Sequence, residues 1–290
     1  MDQNNSFDYH TAFSRNIGWV TLTEQSQLQQ TKVAIAGMGG VGGSHLLTLT
    51  RLGIGNFNIA DFDSFGLENF NRQAGARMET IGQAKAETLA GMALGINPEL
   101  NIQAFNQGIN ENNLINFLAD VDLYVDALDY FAFDIRQHVF AYCYQHNIPA
   151  ITAAPLGVGT ALLIFLPGKM SFADYFGLHE CPEDEQALRF LIGLSPAMLQ
   201  RHYLADPSRV DLQGQKGPST VMACELCAGF AASQALKVLL KRGPLLCAPW
   251  GLHFDAYLNK LCKTWRPGGY KNPLQKFMFS LAKRLLAKNN

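Results

Sequence analysis

Short apolar runs alternate with helix-like patterns along the first half of the chain. Residues 33–36 and 57–60 are apolar runs of the length of buried strands. Between them, residues 44–52 carry leucines at helical spacing and contain no helix breaker. A second helical pattern starts at Lys85, and a further apolar run follows at residues 123–125. This alternation predicts βαβ units, in which helices connect parallel strands.

The second half of the chain shows a different pattern. Residues 148–153 and 161–166 are apolar and are separated by glycines, which indicates a hairpin. The apolar stretch over residues 219–240 predicts one long helix, and the alternation over residues 252–261 predicts a single final strand. Residues 168–218 are the least regular part of the chain.

Glycines are concentrated between the first strand and the first helix. They stand at Gly37, Gly39, Gly40 and Gly42, where the absence of a Cβ allows a tight turn and a close approach to a phosphate. The helix expected to begin near Gly42 would direct its unpaired N–H groups at that phosphate. Asp61 ends the second strand, where its carboxylate can accept both ribose hydroxyls. These features predict a nucleotide site, and the G-x-G-x-x-G spacing alone also allows NAD.

Polar and cationic residues follow Asp61 within one loop and one helical start. They are Asn69, Arg72 and Lys85. A hydride-transfer domain needs no such cluster. A guanidinium and an ammonium near a triphosphate suit chemistry at phosphorus, where charge develops on the phosphate oxygens.

Several motifs follow one another in order within residues 32–129. They read G-M-G-G-V-G-G, R-L-G-I-G-N-F-N-I-A-D-F-D, E-N-F-N-R-Q, G-Q-A-K-A-E and I-N-P. In this order and spacing the segment resembles the ThiF, MoeB and ubiquitin-activating E1 superfamily. The resemblance implies an α/β fold with a Rossmann-like, mostly parallel sheet, helices on both faces and a continuation of antiparallel strands.

The same resemblance implies an E1-like adenylyltransferase. Such an enzyme would use ATP and Mg²⁺ to activate the C-terminal carboxylate of a ubiquitin-like or sulfur-carrier protein or peptide, often ending in Gly-Gly, and would release pyrophosphate. The glycine loop would then supply backbone donors, and Asp61 would bind the ribose. Asn69, Arg72 and Lys85 would neutralise the phosphates, and Asp129 would hold the magnesium-bound nucleotide.

Three further positions depend on this resemblance. Arg15 matches an arginine that reaches across a dimer to the partner's ATP, which implies a symmetric homodimer; an exposed helix arginine is the plainer alternative. Asp126 shares the strand end with Asp129 and could either help to hold Mg²⁺ or close the turn. The family commonly has Asn after this aspartate, whereas this chain has Tyr130.

Cysteines offer a possible acceptor thiol but little support for zinc. In relatives the region around Cys181 carries a crossover loop, part of a zinc site or a catalytic cysteine. Nearby carboxylates should disfavour a Cys181 thiolate, so a structural cysteine is the stronger interpretation. Many relatives bind zinc through two CxxC pairs. This chain has one, at Cys224 and Cys227 within the long apolar helix, so we expect no zinc site.

Length and composition describe a globular chain. The resemblance divides its 290 residues into an N-terminal helical arm at 1–31, an adenylation domain at 32–266 with the irregular crossover 168–218, and a tail at 267–290. The polar N-terminus shows no secretory signal, and six cysteines fit reduced thiols in the cytoplasm. A net charge of -1 gives no reason to expect nucleic acid as a partner.

The tail from 271 to 290 contains five Lys/Arg residues and no acid. The positions Leu274, Phe277, Met278, Leu281 and Leu285 fall on one helical face. A basic amphipathic helix of this kind can make a peripheral membrane contact or can cover its own domain, which is the more common role.

Two other functions compete with carboxylate activation on a protein. The first is activation of a tRNA carboxylate, as in threonylcarbamoyladenosine dehydratases, but only the tail of this chain is clearly basic. The second is an NAD-dependent oxidoreductase or a nucleotide-binding module that has lost its chemistry. The presence of Arg72, Lys85 and Asp129 argues against an oxidoreductase and against a nucleotide-binding module without chemistry.

Overall fold

A computed structural model describes residues 6–211, 214 and 217–287. The helices are α1 (Tyr9–Ala12), α2 (Leu22–Gln30), α3 (Gly40–Leu52), α4 (Lys85–Ile96), α5 (Leu114–Phe117), α6 (Phe133–Gln145), α7 (Phe172–Phe176), α8 (Glu183–Leu194), α9 (Val221–Leu239) and α10 (Pro273–Ala287). The strands are β1 (Lys32–Ala36), β2 (Asn56–Ala60), β3 (Asn101–Phe105), β4 (Leu123–Asp126), β5 (Ala150–Leu156), β6 (Gly159–Phe165), β7 (Trp250–Asp255) and β8 (Lys260–Trp265). The predicted arm, crossover and tail each include residues outside the described ranges, and the side chain of Leu285 is also outside them.

The strands form one eight-stranded sheet in the described part of the chain, in the order β3-β2-β1-β4-β5-β6-β7-β8. Strands β1 to β5 run parallel, and β6, β7 and β8 continue the sheet antiparallel. The predicted fold class is therefore confirmed. The strand order reverses between β1 and β4, and in such sheets ligands bind in the crevice beyond the carboxyl ends of the strands at that point.

The central strands are buried on both faces. On β1, Val33 and Ile35 belong to a core shared with α3, α4 and α9. Ala34 and Ala36 belong to a second core, shared with α5, α6, α7 and α8. Since side chains alternate along a strand, one apolar run supplies both cores, and the sheet carries helices on both of its faces.

The single strand predicted over residues 252–261 is wrong, because the structure has the hairpin of β7 and β8 there. The turn lies between Asp255 and Lys260, where Leu258 N donates to Asp255 Oδ1 at 2.9 Å. Asn259 takes a left-handed backbone with φ 51°. Apolar side chains continue through this turn, so the alternation did not reveal it. Helix α8, inside the irregular crossover, was also not predicted.

Helix α9 is long and apolar enough to cross a membrane by length and composition, and it is the one such helix among the described residues. It packs instead in the core. Cys227, Ala231 and Ala235 are fully or nearly fully buried with the residues of α3 and the sheet. Thr220 caps the helix by accepting a hydrogen bond from Ala223 N at 3.3 Å.

Candidate nucleotide site

The glycine loop after β1 is shaped by close backbone contacts. Gly37 has φ +92°, and a Cβ there would lie 2.1 Å from Ala127 O. A Cβ on Gly42 would lie 1.8 Å from Gly37 O. Helix α3 begins at Gly40, two residues earlier than expected. The unpaired N–H groups of its first turn therefore belong to the glycine loop itself, which is the arrangement that binds anions.

Gly39 differs from these two glycines. The nearest atom to a Cβ built on it is Gln73 Nε2, at 3.8 Å. The protein itself would therefore accept a side chain at this position. The bare backbone at Gly39 leaves room for a phosphate to approach the loop.

Asp61 is tied directly to the glycine loop. One of its carboxylate oxygens accepts a hydrogen bond from Met38 N at 2.6 Å, and the other accepts from Asp63 N at 2.8 Å. Each carboxylate oxygen has further acceptor capacity. The structure thus orients Asp61 at the end of β2 with lone pairs left to accept from a ribose.

Lys85 is held beside Asp61 by an acid that the sequence reasoning missed. Its Nζ lies 3.0 Å from Asp63 Oδ2, and the Lys85 side chain is only 7% exposed, against 52% for Asp63. The ion pair holds the buried ammonium at the segment that follows β2, where Asp61 contacts the glycine loop. The run Asp61-Phe62-Asp63 contains this second acid, but its spacing alone does not predict a pairing with Lys85.

Arg72 lies along the glycine loop. Its Cγ and Cδ are 3.5 and 3.7 Å from the Cβ position of Gly40. Its guanidinium donates to Glu68 O at 3.1 Å and to Asn71 Oδ1 at 2.8 Å. Asn69 is buried and accepts from Gly66 N at 2.9 Å. Asn69 therefore shapes the loop that carries the arginine.

Gln73 directly follows Arg72, and the sequence pattern alone assigns it no role. It is 7% exposed, and its Oε1 has no hydrogen-bond partner among the described residues. Its Nε2 faces Gly39. An unpaired buried amide oxygen is costly, and a ligand hydroxyl or a bound water at the loop would satisfy it.

The two aspartates at the end of β4 have different surroundings. Asp126 is buried; its Oδ2 accepts from Arg136 Nε and from Thr152 Oγ1, both at 3.0 Å. Asp129 is exposed, and its Oδ1 accepts from Phe131 N at 3.0 Å. Asp126 belongs to a buried ion pair, and its Oδ1 also accepts from Leu128 N at 3.4 Å, a contact within the turn that favours the turn-closing alternative.

The exposed carboxylate of Asp129 fits a magnesium ion in donor chemistry and position. It lies beyond the carboxyl end of a strand next to the crevice, and Mg²⁺ prefers oxygen ligands. Among the described residues no group of three or more His, Cys, Asp or Glu side chains is placed to hold a metal.

Tyr130, at the position where the family commonly has Asn, packs away from solvent. Its hydroxyl donates to Ala187 O of α8 at 2.6 Å, and its ring meets Phe190 edge-on with centroids 5.4 Å apart. Burial raises the pKa of Tyr130 well above its usual value. This side chain fastens α8 to the loop that carries Asp129.

Other predicted residues are not brought into this network. Arg15 is exposed on a 3₁₀ turn in the N-terminal arm. Cys181 is buried just ahead of α8, where its carbonyl accepts from Gln186 Nε2 at 3.5 Å.

The two cysteines of the CxxC pair have different surroundings. Cys227 Sγ donates to Thr160 Oγ1 at 3.1 Å in the core. Cys224 Sγ instead lies 3.0 Å from the Cβ position of Gly40, and burial raises its pKa.

His45 was also missed. It lies in α3 directly behind the glycine loop, is 1% exposed, and has no hydrogen-bond partner for either ring nitrogen among the described residues. Burial lowers its pKa to about 4. His45 is therefore neutral near pH 7. Its position in a predicted helix did not indicate that the imidazole is buried without a hydrogen-bond partner.

Sequence comparison identifies related proteins. The chain is 31% identical over 148 residues to the sulfur carrier protein ThiS adenylyltransferase of Escherichia coli K12, covering 51% of this chain and 58% of that one. It is 32% identical over 133 residues to the tRNA threonylcarbamoyladenosine dehydratase of Haemophilus influenzae, covering 46% and 50%. The chain thus spans about half the length of these curated relatives.

Structural comparison gives the same fold. The crystal structure of Escherichia coli MccB with AMPCPP and MccA superposes with a TM-score of 0.68 at 21% identity, covering 90% of this chain and 72% of that one. This likeness concerns the fold alone. The ThiF family profile matches residues 13–276. The chain therefore belongs to the ThiF family.

Proposed function

We propose that this chain is an E1-like adenylyltransferase, which uses ATP to convert a C-terminal carboxylate into an acyl-adenylate and releases pyrophosphate. One observation carries the proposal. A hydrogen-bonded chain runs from Met38 of the glycine loop through Asp61 and Asp63 to Lys85. It joins a ribose acceptor, a phosphate loop and a buried cation, with Arg72 beside them, and a hydride-transfer site needs no such cations.

The residues suggest a division of work. The glycine loop donates to phosphate oxygens, and Asp61 accepts from the ribose hydroxyls. A substrate carboxylate oxygen then attacks the α-phosphorus, and the bond to pyrophosphate breaks. Arg72 and Lys85 stabilise the charge that moves onto the leaving oxygens. Catalysis in this scheme is mainly positioning and electrostatic stabilisation.

Magnesium is part of the proposal, with Asp129 as the residue that would hold it. The ion would supply positive charge to the phosphates when bound. Asp126 has no part in this, since its oxygens are engaged by Arg136, Thr152 and Tyr124.

The substrate class and the assembly remain proposals as well. A relative named for the sulfur carrier ThiS and a neighbour whose structure contains MccA support a small carrier protein or a peptide as the substrate. A cytoplasmic homodimer would bring Arg15 to the partner's nucleotide, as the resemblance implies. The exposure of Arg15 in the arm leaves it accessible for that contact.

A tRNA-linked carboxylate is the second candidate. It is favoured by one observation, the 32% identity to a named tRNA threonylcarbamoyladenosine dehydratase. The chemistry at ATP would be the same. The net charge of -1 weighs against it, because tRNA binding depends on basic surface.

Exchange of labelled pyrophosphate into ATP tests these candidates. The protein is incubated with ATP, Mg²⁺ and either a sulfur-carrier protein ending in Gly-Gly, the same carrier without its last two residues, or tRNA bearing threonylcarbamoyladenosine. We expect exchange with the intact carrier and none with the shortened one. Exchange with tRNA alone would establish the second candidate. ATP binding without exchange in any sample would contradict adenylation of these substrates.

A further inference from the structure

Helix α10 is docked on the domain through one of its faces. Gln275 is 7% exposed, and its Oε1 accepts from Arg266 Nε at 3.2 Å. The Arg189 guanidinium of α8 lies 4.9 Å from the centre of the Phe279 ring. These contacts fix which side of α10 faces outward.

The outward side carries an apolar stripe. Leu274, Phe277 and Leu281 are 51%, 63% and 47% exposed. Their spacing of three and four residues aligns them along one side of the helix. The sequence predicted a single apolar face that also included Met278. The structure separates that residue, which is half-buried and contacts Arg266 at 3.9 Å.

Cations flank this stripe. Lys276 and Arg284 are exposed and line the same shallow depression as Phe277 and Leu281. Residues 271–287 contain no acid. Lys283 is paired with Glu185 of α8, so Lys276 and Arg284 supply the charge nearest the stripe. The chain as a whole has a net charge of -1, which makes the positive charge a local property of this helix.

We propose that α10 binds the surface of an anionic phospholipid membrane, with the helix in the plane of the interface. The Leu274, Phe277 and Leu281 side chains enter the boundary between headgroups and acyl chains, and Lys276 and Arg284 meet lipid phosphates. The charge complementarity selects this occupant. A symmetric contact with a second copy would bring the same cations together, with no acid in residues 271–287 to pair with them.

This contact goes beyond the proposed adenylation. Binding through α10 would place the proposed nucleotide site close to a membrane surface. One helix with three apolar side chains gives weak and reversible binding, sensitive to salt, because exposed charges are screened within about 8 Å at physiological ionic strength.

Flotation with lipid vesicles tests the proposal. The full chain is mixed with vesicles of phosphatidylcholine alone, or with vesicles of equal parts phosphatidylcholine and phosphatidylglycerol, at low and physiological salt. The variants are Phe277→Ser, Lys276→Gln combined with Arg284→Gln, and two controls at other exposed positions, Ile115→Ser and Lys263→Gln. Thermal unfolding checks that each variant is folded, which we expect because all these side chains are exposed.

We expect the wild type to float with the anionic vesicles only. Phe277→Ser should lower the bound-to-free ratio roughly tenfold. Each lost cation should lower it about fivefold, and less at higher salt. Both controls should bind like the wild type.

Several results would overturn the proposal. One is that the wild type does not float with anionic vesicles at low salt. Another is that the wild type floats equally with both lipid mixtures. A third is that Phe277→Ser floats as well as the wild type. If light scattering shows that Phe277→Ser splits a dimer while no sample floats, the stripe is a contact between two copies.

Discussion

The ends of β2 and β4, the strands on either side of β1, each carry a pair of aspartates and use them differently. At the end of β2, Asp61 binds the glycine loop and Asp63 holds Lys85. At the end of β4, Asp126 forms a buried ion pair with Arg136, and the second acid, Asp129, is exposed. The side chains at the first end are already positioned for the proposed nucleotide. The second end contains a buried ion pair and one exposed carboxylate.

The exposure of the carboxylate partner explains the difference. The Arg136 and Asp126 side chains are 3% and 2% exposed, so this pair can serve only the fold. The Lys85 ammonium is also buried, but its partner Asp63 is half-exposed. A ligand phosphate can therefore take over that partnership. The same residue types form a buried ion pair at one strand end and a partly exposed ion pair at the proposed nucleotide site.

The largest expected effect comes from breaking the buried ion pair between Arg136 and Asp126. Arg136→Ala leaves the Asp126 carboxylate buried without its partner. It should lower the free energy of unfolding by about 3–5 kcal/mol, measured by chemical denaturation. Arg77→Ala is the control, because the Arg77–Glu79 pair is 61% and 77% exposed and should contribute at most about 1 kcal/mol. Similar losses for both variants would refute the structural role of Asp126.

Arg72→Ala tests the site at the other strand end. The guanidinium is solvent-accessible and bonds only to its own loop among the described residues, so the fold should survive. We expect the rate of adenylate formation to fall roughly a hundredfold or more, which corresponds to about 2.7 kcal/mol of transition-state stabilisation. A folded variant with a near wild-type rate would remove Arg72 from the mechanism.

Gly39→Ala gives a smaller and more selective change. A Cβ at this position meets no protein atom closer than 3.8 Å, so the variant should fold, with at most about 1 kcal/mol of stability lost because Gly39 is the N-cap of α3 and alanine is a poorer N-cap. The methyl group should obstruct the phosphate and weaken ATP binding about tenfold, or about 1.4 kcal/mol, measured by calorimetry. Gly91→Ala in α4, where a Cβ has nothing within 4 Å, is the matched control. Unaltered ATP affinity in Gly39→Ala would show that the nucleotide does not approach this glycine.

The strand end at β2 was largely predictable from the sequence because its parts are local. The glycine loop, Asp61, Asn69, Arg72 and Lys85 lie within one continuous segment, and their order carries the information. The start of α3 was misplaced by two residues, since glycines leave the helix boundary undefined by propensity. The pairing of Lys85 with Asp63 required knowledge of side-chain position.

The strand end at β4 was not resolved from the sequence. Asp126 and Asp129 appear equivalent, and the difference comes from Arg136 and Thr152, which meet Asp126 only after α6 and β5 have packed. The same limit applies to α8, whose acidic start resembles a loop, and to the β7–β8 turn, where alternation continues across a chain reversal. In these places long-range packing decides the structure.

Thermal unfolding with ATP·Mg²⁺, AMP and NAD in separate samples tests the central claim most directly. The proteins are the wild type, Lys85→Ala and the control Lys263→Ala, whose lysine is exposed on β8. A ligand at about 100 times its Kd stabilises a protein by roughly 2.7 kcal/mol. We predict that ATP·Mg²⁺ stabilises the wild type and Lys263→Ala, and stabilises Lys85→Ala much less at the same concentration. Stabilisation by NAD alone, or equal stabilisation of all three proteins by ATP·Mg²⁺, would contradict the assignment of this site to ATP.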